Sequence, residues 1–174
     1  MDLKKLITAI TITVFTFQLS SNAEIDYKPY KSKKGFSIKY PNEWSVFEKS
    51  ISNNEFTFLS SPLEDKNDNF SENLNVLIIK ANMSTDKYLD LNISDLKKGN
   101  TLKNGKLIKR GDFNKNKIKY IIYSHNYNNY ELKVKGYYIC NGKNCYNLTG
   151  TSTSKTFNTY EPIFDAIASS FEIS

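Results

Sequence analysis

The sequence predicts an α+β fold: a twisted antiparallel β-sheet with helices packed on its faces. Three observations lead there. Short stretches of apolar–polar alternation recur along much of the chain from Phe36 onward. Two stretches carry the apolar stripe and the end signals of a helix. The turns between alternating stretches are short and contain no helix, which favours antiparallel order.

The chain begins Met1-Asp2-Leu3-Lys4-Lys5, continues through the uncharged run "LITAITITVFTFQL" and reaches Ser20-Ser21-Asn22-Ala23. A charged start, an apolar core shorter than the ~20 residues of a membrane span, and small residues at Ser21 and Ala23 follow the order of a secretory signal peptide. Residues 1–23 are therefore expected to be cleaved off, leaving a periplasmic or secreted product. Residues 24–34, "EIDYKPYKSKK", are polar, basic and without period. They are expected to form a basic flexible arm ahead of a single domain over residues 35–174.

Phe36, Ile38 and Tyr40 alternate with Ser37 and Lys39, which predicts a strand with one buried face. Pro41 presets its backbone angle and offers no N–H, so it ends that strand. Asn42 and Glu43 then make a turn, and Trp44 and Val46 open a second strand on the face of Phe36, Ile38 and Tyr40. Phe56 and Phe58 repeat the alternation in a third strand, and a hairpin meander is expected. Trp44 reads as a core anchor or as a ligand platform, the anchor being the commoner use of a large aromatic. Val76, Leu77, Ile78 and Ile79 are consecutive and apolar, as in a central strand covered on both faces.

The first helix is bounded by its own chemistry. Ser84 can cap it, Asp86 sits in its first turn and Lys97 and Lys98 in its last, and Gly99 stops it. Leu89, Ile93 and Leu96 form its stripe. The second helix is predicted from about Asn158 to Ser170, with Pro162 tolerated in the first turn and Ile163, Phe164, Ile167 and Phe171 on the buried side. Between the helices, strands are expected around 106–110, 117–124 and 130–140, and after Cys145. In the third of these, Leu132 and Val134 alternate with Glu131, Lys133 and Lys135 on the opposite face.

Gly35-Phe36-Ser37-Ile38, Tyr40-Pro41 and Trp44 together resemble the first hairpin of the PsbP family, the extrinsic photosystem II proteins and their bacterial relatives. Further matches follow in order: Phe58, Ser61-Pro62, Asp68, Phe70, Glu72-Asn73-Leu74-Asn75-Val76, and the closing Ser170-Phe171-Glu172-Ile173. The resemblance implies an α/β/α sandwich used for binding partners, with no shared active site.

Cys140 and Cys145 bracket Asn-Gly-Lys-Asn between two strands, and in an exported chain the default for such a pair is a disulfide. A two-residue type I′ turn at Asn141-Gly142 would set Cys140 opposite Lys143. A four-residue loop sets Cys140 opposite Cys145, Ile139 opposite Tyr146 and Tyr137 opposite Leu148. The four-residue loop with a bridge is the expected form.

Ser124 and His125 are neighbours on a strand, so they point to opposite faces and cannot act as nucleophile and base. Neither a nucleophile elbow nor a zinc-helix or phosphate-loop pattern occurs. No catalytic residue, cofactor or metal is expected. The acidic stretch 64–72 fails as an EF-hand, because Phe70 stands where glycine is required and Val76 where a bidentate glutamate is.

Tyr120, Tyr123, Tyr127, Tyr130 and Tyr137 either line a recognition surface or reflect strand propensity. With Lys28, Lys31, Lys33 and Lys34 of the arm they are the candidate partner-binding residues. The formal charge of +6 admits an anionic membrane surface as a second partner. Nucleic acid is not expected outside the cytoplasm. The sequence thus points to an exported, non-enzymatic binding or accessory protein that meets a protein or an envelope component. The alternatives are an enzyme with a dispersed site and a photosystem-associated protein of PsbP type.

Overall fold

The structure, a computed structural model, describes residues 24–51, 54–99, 102, 104–114 and 118–174. The expected signal peptide, residues 1–23, lies outside them. In chain order the elements are β1 (Tyr27–Ser32), β2 (Phe36–Pro41), β3 (Ser45–Ile51), β4 (Asn54–Ser60), β5 (Asn73–Lys80) and α1 (Thr85–Lys98). They continue with β6 (Lys106–Phe113), β7 (Ile118–Tyr127), β8 (Tyr130–Cys140), β9 (Asn144–Thr153), α2 (Phe157–Ser169) and β10 (Glu172–Ile173).

Pairing is antiparallel throughout, as expected, but the strands form two sheets instead of one. A small sheet has the order β1-β2-β10, and a seven-stranded sheet has the order β3-β4-β5-β9-β8-β7-β6. The reason lies in β1. The segment expected as a flexible arm is a strand that pairs with β2 from Tyr27 opposite Pro41 to Ser32 opposite Phe36. Glu172 and Ile173 take the other edge of β2. With both edges occupied, β2 cannot form the expected hairpin with β3. The Pro41–Trp44 turn therefore carries the chain from one sheet to the other, closed by a hydrogen bond from the Trp44 N–H to the Pro41 carbonyl at 3.0 Å.

The two helices cover opposite faces of the large sheet, since neighbouring residues of one strand contact different helices. Tyr138 packs with Tyr88, Leu89 and Ile93 of α1, whereas Tyr137 belongs to the cluster of Tyr160, Phe164 and Ile167 of α2. The α2 side also carries the small sheet, whose Phe36, Ile38 and Tyr40 join Trp44 in the main core. One outer layer is thus helical and the other is a helix beside a three-stranded sheet, which is looser than an α/β/α sandwich. Phe164 lies on Gly150, where an added Cβ would stand 2.5 Å from its ring. Glycine there is what lets α2 approach the sheet.

Helix α1 has the expected ends: the Ser84 Oγ accepts from the Lys87 N–H at 3.2 Å, and Gly99 closes it at φ 67°. It packs over β6, β7 and β8. Among the described residues no helix covers the same face of β3 and β4. Phe56 and Phe58 therefore point outward on that face, away from Trp44 and the main core. Phe58 stacks on Phe47 at 5.0 Å and on Phe56 at 5.7 Å, and Phe47 remains 50% exposed.

The cysteine hairpin takes the four-residue loop. Cys140 pairs with Cys145, Ile139 with Tyr146 and Tyr137 with Leu148. The two cysteines form a disulfide with Cα atoms 4.1 Å apart. Both residues of the Asn-Gly signal are used in this loop. The Asn141 Oδ1 accepts from the N–H groups of Lys143 and Asn144, and Gly142 supplies a φ of 85°.

Candidate functional site

The change of sheet at the Pro41–Trp44 turn opens a cleft of about 570 Å³. One wall is the turn itself. A second is the segment before β1, Glu24 to Asp26, held to the turn by a hydrogen bond from the Asn42 N–H to the Asp26 carbonyl at 2.9 Å. The third is the first half of α2, with Thr159, Tyr160 and Ile163, and Ser61 and Pro62 after β4 complete the lining. Trp44 and Tyr160 form an aromatic floor with ring centroids 6.3 Å apart. Three acidic residues, Glu24, Asp26 and Glu43, are among those lining it.

Two further carboxylates act on the floor. Burial, then the charges of Glu72 and Glu64, push the Tyr160 hydroxyl up to about 12. Glu72 is 1% exposed. Its Oε1 accepts from the Thr156 Oγ1 at 2.6 Å, while its Oε2 has no partner. Burial accordingly raises the Glu72 carboxyl above its ordinary value. A raised carboxylic acid favours the fold while protonated, and that benefit is lost as pH rises through its folded pKa. Glu72→Gln keeps an oxygen for Thr156 and removes the charge. It is expected to stabilise the protein by about 1 kcal/mol at pH 7 to 8, the scale of an unsatisfied buried group. The gain should vanish below about pH 4, and thermal unfolding across that range checks it.

The expected partner-binding tyrosines do not share a surface. Tyr120 pairs with Tyr137 on the α2 face, and Tyr137 is fully buried. Tyr123 packs with the α1 cluster on the opposite face. Tyr130 packs on Phe70 at 5.2 Å, and Tyr127 at the hairpin tip is 61% exposed. Alternation along β7 and β8 sends these residues to different layers. Of the lysines, Lys28 donates to the Asn42 carbonyl at 2.6 Å, and Lys34 pairs with Glu55 at 2.7 Å and Glu48 at 3.6 Å. Lys31 and Lys33 are exposed. They lie on or beside a paired strand, not on a free arm.

In the acidic stretch the carboxylates serve the backbone. Asp65 accepts from the N–H groups of Asn67 and Asp68, and Asp68 accepts from those of Glu64 and Phe70. Those last two bonds hold the Asp68 carboxyl below its ordinary value. Among the described residues, no three of His, Cys, Asp and Glu come together as a metal site. His125 lies beside Tyr123 with ring centroids 6.2 Å apart.

A second charged group lies under α2. Lys135 lies on the face opposite Leu132 and Val134, as the alternation of β8 predicts, and is 5% exposed because α2 covers that face. Its Nζ is 2.8 Å from Glu161 and 2.7 Å from Asp165, and the Tyr137 hydroxyl donates to Asp165 at 2.5 Å. The rings of Tyr120, Tyr137 and Phe113 surround it at 5.0 to 5.8 Å. Burial alone would lower the Lys135 ammonium, but Asp165 and Glu161 outweigh it and hold the pKa above the usual lysine value. Every group in this cluster is matched, which suits a tie between helix and sheet.

Sequence reading weighed Trp44 as a core anchor or a ligand platform and did not single out Glu24, Asp26, Glu43 or Tyr160. Tyr160 carried a usable signal, since it precedes Phe164 and Ile167 by four and seven residues on one helix face. The three acids carried none.

No family model matches the chain, and no curated protein does. Solved structures are similar to it. One is cyanobacterial PsbP from Synechocystis, with TM-score 0.57 and 16% identity over 88% of this chain and 96% of that one. Another is the Ran-binding protein Mog1p of Saccharomyces cerevisiae, with TM-score 0.60 and 9% identity over 86% of this chain and 96% of that one. A third is LpqN of Mycobacterium tuberculosis, involved in cell envelope biogenesis, with TM-score 0.58 and 15% identity over 87% and 92%. At these identities the likeness is one of fold, and at that level the resemblance read from the Gly35–Trp44 stretch holds: the chain has the PsbP-like fold, shared with Mog1p and LpqN.

Proposed function

We propose that the protein is an exported, non-enzymatic binding or accessory protein that engages a protein or envelope component at the cleft beside Trp44. The observation that carries this is the cleft's construction. An aromatic floor and polar walls meet at the junction of two sheets and a helix. Export is supported by the order of the N-terminal 23 residues and by the Cys140–Cys145 bridge, which suits an oxidising compartment. Similar folds occur in a Ran-binding protein and in a protein of envelope biogenesis, which fits a scaffold for partners.

A photo-crosslinking residue at position 163, on the cleft wall, tests the reading in the native host. A defined, mass-resolved adduct is expected there. The same residue at position 91, exposed on α1, should give none. Equal labelling at both positions would refute the cleft as the binding site.

A second reading, a hydrolase, is favoured by one observation, the three carboxylates of the cleft. Chromogenic ester, glycoside and phosphate substrates test it. Turnover that is lost in Glu43→Gln would establish the enzyme over the binding protein.

A further inference from the structure

We propose that Asn141 is a site of self-catalysed covalent modification: the cysteine hairpin converts it to aspartyl and isoaspartyl forms through a cyclic imide with Gly142. This site stands apart from the cleft and does not depend on the binding reading.

The reaction is a displacement at the side-chain amide of Asn141. The backbone nitrogen of Gly142 loses its proton and attacks the Asn141 Cγ, and negative charge collects on Oδ1. The carbon–nitrogen bond to the side-chain amide then breaks, ammonia leaves, and water opens the imide ring at either carbonyl. Nothing is oxidised or reduced, and water is the only co-reactant.

The loop supplies what each step requires. Gly142 has no Cβ to crowd its nitrogen, and a Cβ built there would meet nothing within 4 Å. The residue is exposed, and among the described residues no backbone carbonyl accepts its N–H, so hydroxide can take that proton. The Asn141 Oδ1 accepts from the Lys143 N–H at 3.1 Å and from the Asn144 N–H at 2.9 Å. These donors stand where the charge develops, which is how an oxyanion hole lowers the barrier to a tetrahedral intermediate. The first of them also closes a ring through the Asn141–Gly142 peptide and folds Cγ back toward the Gly142 nitrogen. The donors are held in place from both sides of the loop. The Asn141 N–H donates to the Asn144 carbonyl at 3.0 Å, and the Cys140–Cys145 bridge ties the ends.

A second Asn-Gly pair, Asn104-Gly105, has the same local sequence and a different setting. There the Gly105 N–H donates to the Leu102 carbonyl at 3.4 Å, and a Cβ at Gly105 would stand 2.4 Å from the Leu96 Cδ1. The attacking nitrogen is engaged and its surroundings are packed. Dipeptide chemistry ranks the two pairs as equals, and the fold separates them. Conversion of Asn141 also has a structural outcome. An aspartate keeps both N–H bonds and makes them charge-assisted. The isoaspartyl form instead inserts a methylene into the main chain between the two cysteines.

The protein, with its disulfide intact, is incubated in mildly alkaline buffer and mapped by peptide mass spectrometry after digestion at acidic pH. Conversion adds about 1 Da to the Asn141 peptide, and in heavy-oxygen water the product carries the label. Asn141 is expected to convert about tenfold faster than Asn104 in the folded protein, and about tenfold faster folded than in guanidinium chloride. Solvent around the loop keeps the gain below the roughly hundredfold of a single donor in a dry site. An Asn-Gly pair without the two donors shows the opposite order, since an unfolded chain reaches the cyclic geometry most freely. Faster conversion in guanidinium, equal rates at Asn141 and Asn104 in the folded protein, or an Asn141 that stays intact would each overturn the proposal.

Discussion

Trp44→Ala is expected to destabilise the protein by about 3–5 kcal/mol, the range for truncating a large buried aromatic. Trp44 is 5% exposed and packs against Tyr160 and, edge-on, against Phe164 at 6.4 Å. Through these contacts it joins the strand pair β3–β4 to α2 and to the small sheet, so its loss loosens three elements at once. Because one side borders the cleft, water can enter the vacated space, and the lower half of the range is the better estimate. Urea unfolding of the variant measures it. A loss below about 1 kcal/mol would show that the indole serves the cleft and not the core. Trp44→Phe should retain most of the stability.

Lys135→Met is expected to cost about 2–3 kcal/mol. Removing one member of a buried ion pair commonly costs 3–5 kcal/mol, because the remaining charge is left without compensation. Here Glu161 and Asp165 keep about a third of their side-chain surface in contact with solvent, which lets them rehydrate and reduces the penalty. Methionine retains the stem that lies among Phe113, Tyr120 and Tyr137. What is lost is the charge. In a background of Glu161→Gln and Asp165→Asn, the same change should cost less than half as much, and a full cycle of variants gives the coupling. Equal losses in both backgrounds would mean that packing alone holds Lys135. Since its pKa is raised, the contribution of the pair is complete at neutral pH and fades only as pH climbs past the usual lysine range.

Local chemistry makes much of the fold legible in the sequence. The ends of α1 are set by Ser84 and Gly99, and the register of β8 and β9 follows from where two cysteines can meet. Both depend on residues close in the chain. β1 shows the opposite case. Its sequence, Tyr-Lys-Pro-Tyr-Lys-Ser, has weak alternation and a proline, which strands tolerate only at an edge. β1 is such an edge, and only its partner β2 makes it a strand. Missing it led to the expected β2–β3 hairpin, and with that error the cleft could not be foreseen. For Lys135, alternation gave the right face, but alternation does not tell whether another layer covers it. The three acids of the cleft come from two chain segments joined only by the pairing of β1 with β2, and no spacing rule links them.

The bracketing of β2 by residues from both ends of the domain also governs when the protein can finish folding. β1 is available to β2 at once, but Glu172 and Ile173 pair with Ser37 and Phe36 across almost the entire domain. Phe171 reaches the same place, packing on Phe36 at 5.6 Å and on Tyr146 at 5.4 Å. Contacts of such sequence separation form late and slowly, because a long loop must close before they contribute. Until then one side of Phe36 in the main core lacks its cover, so the docking of Phe171 and β10 is expected to complete the core late in folding.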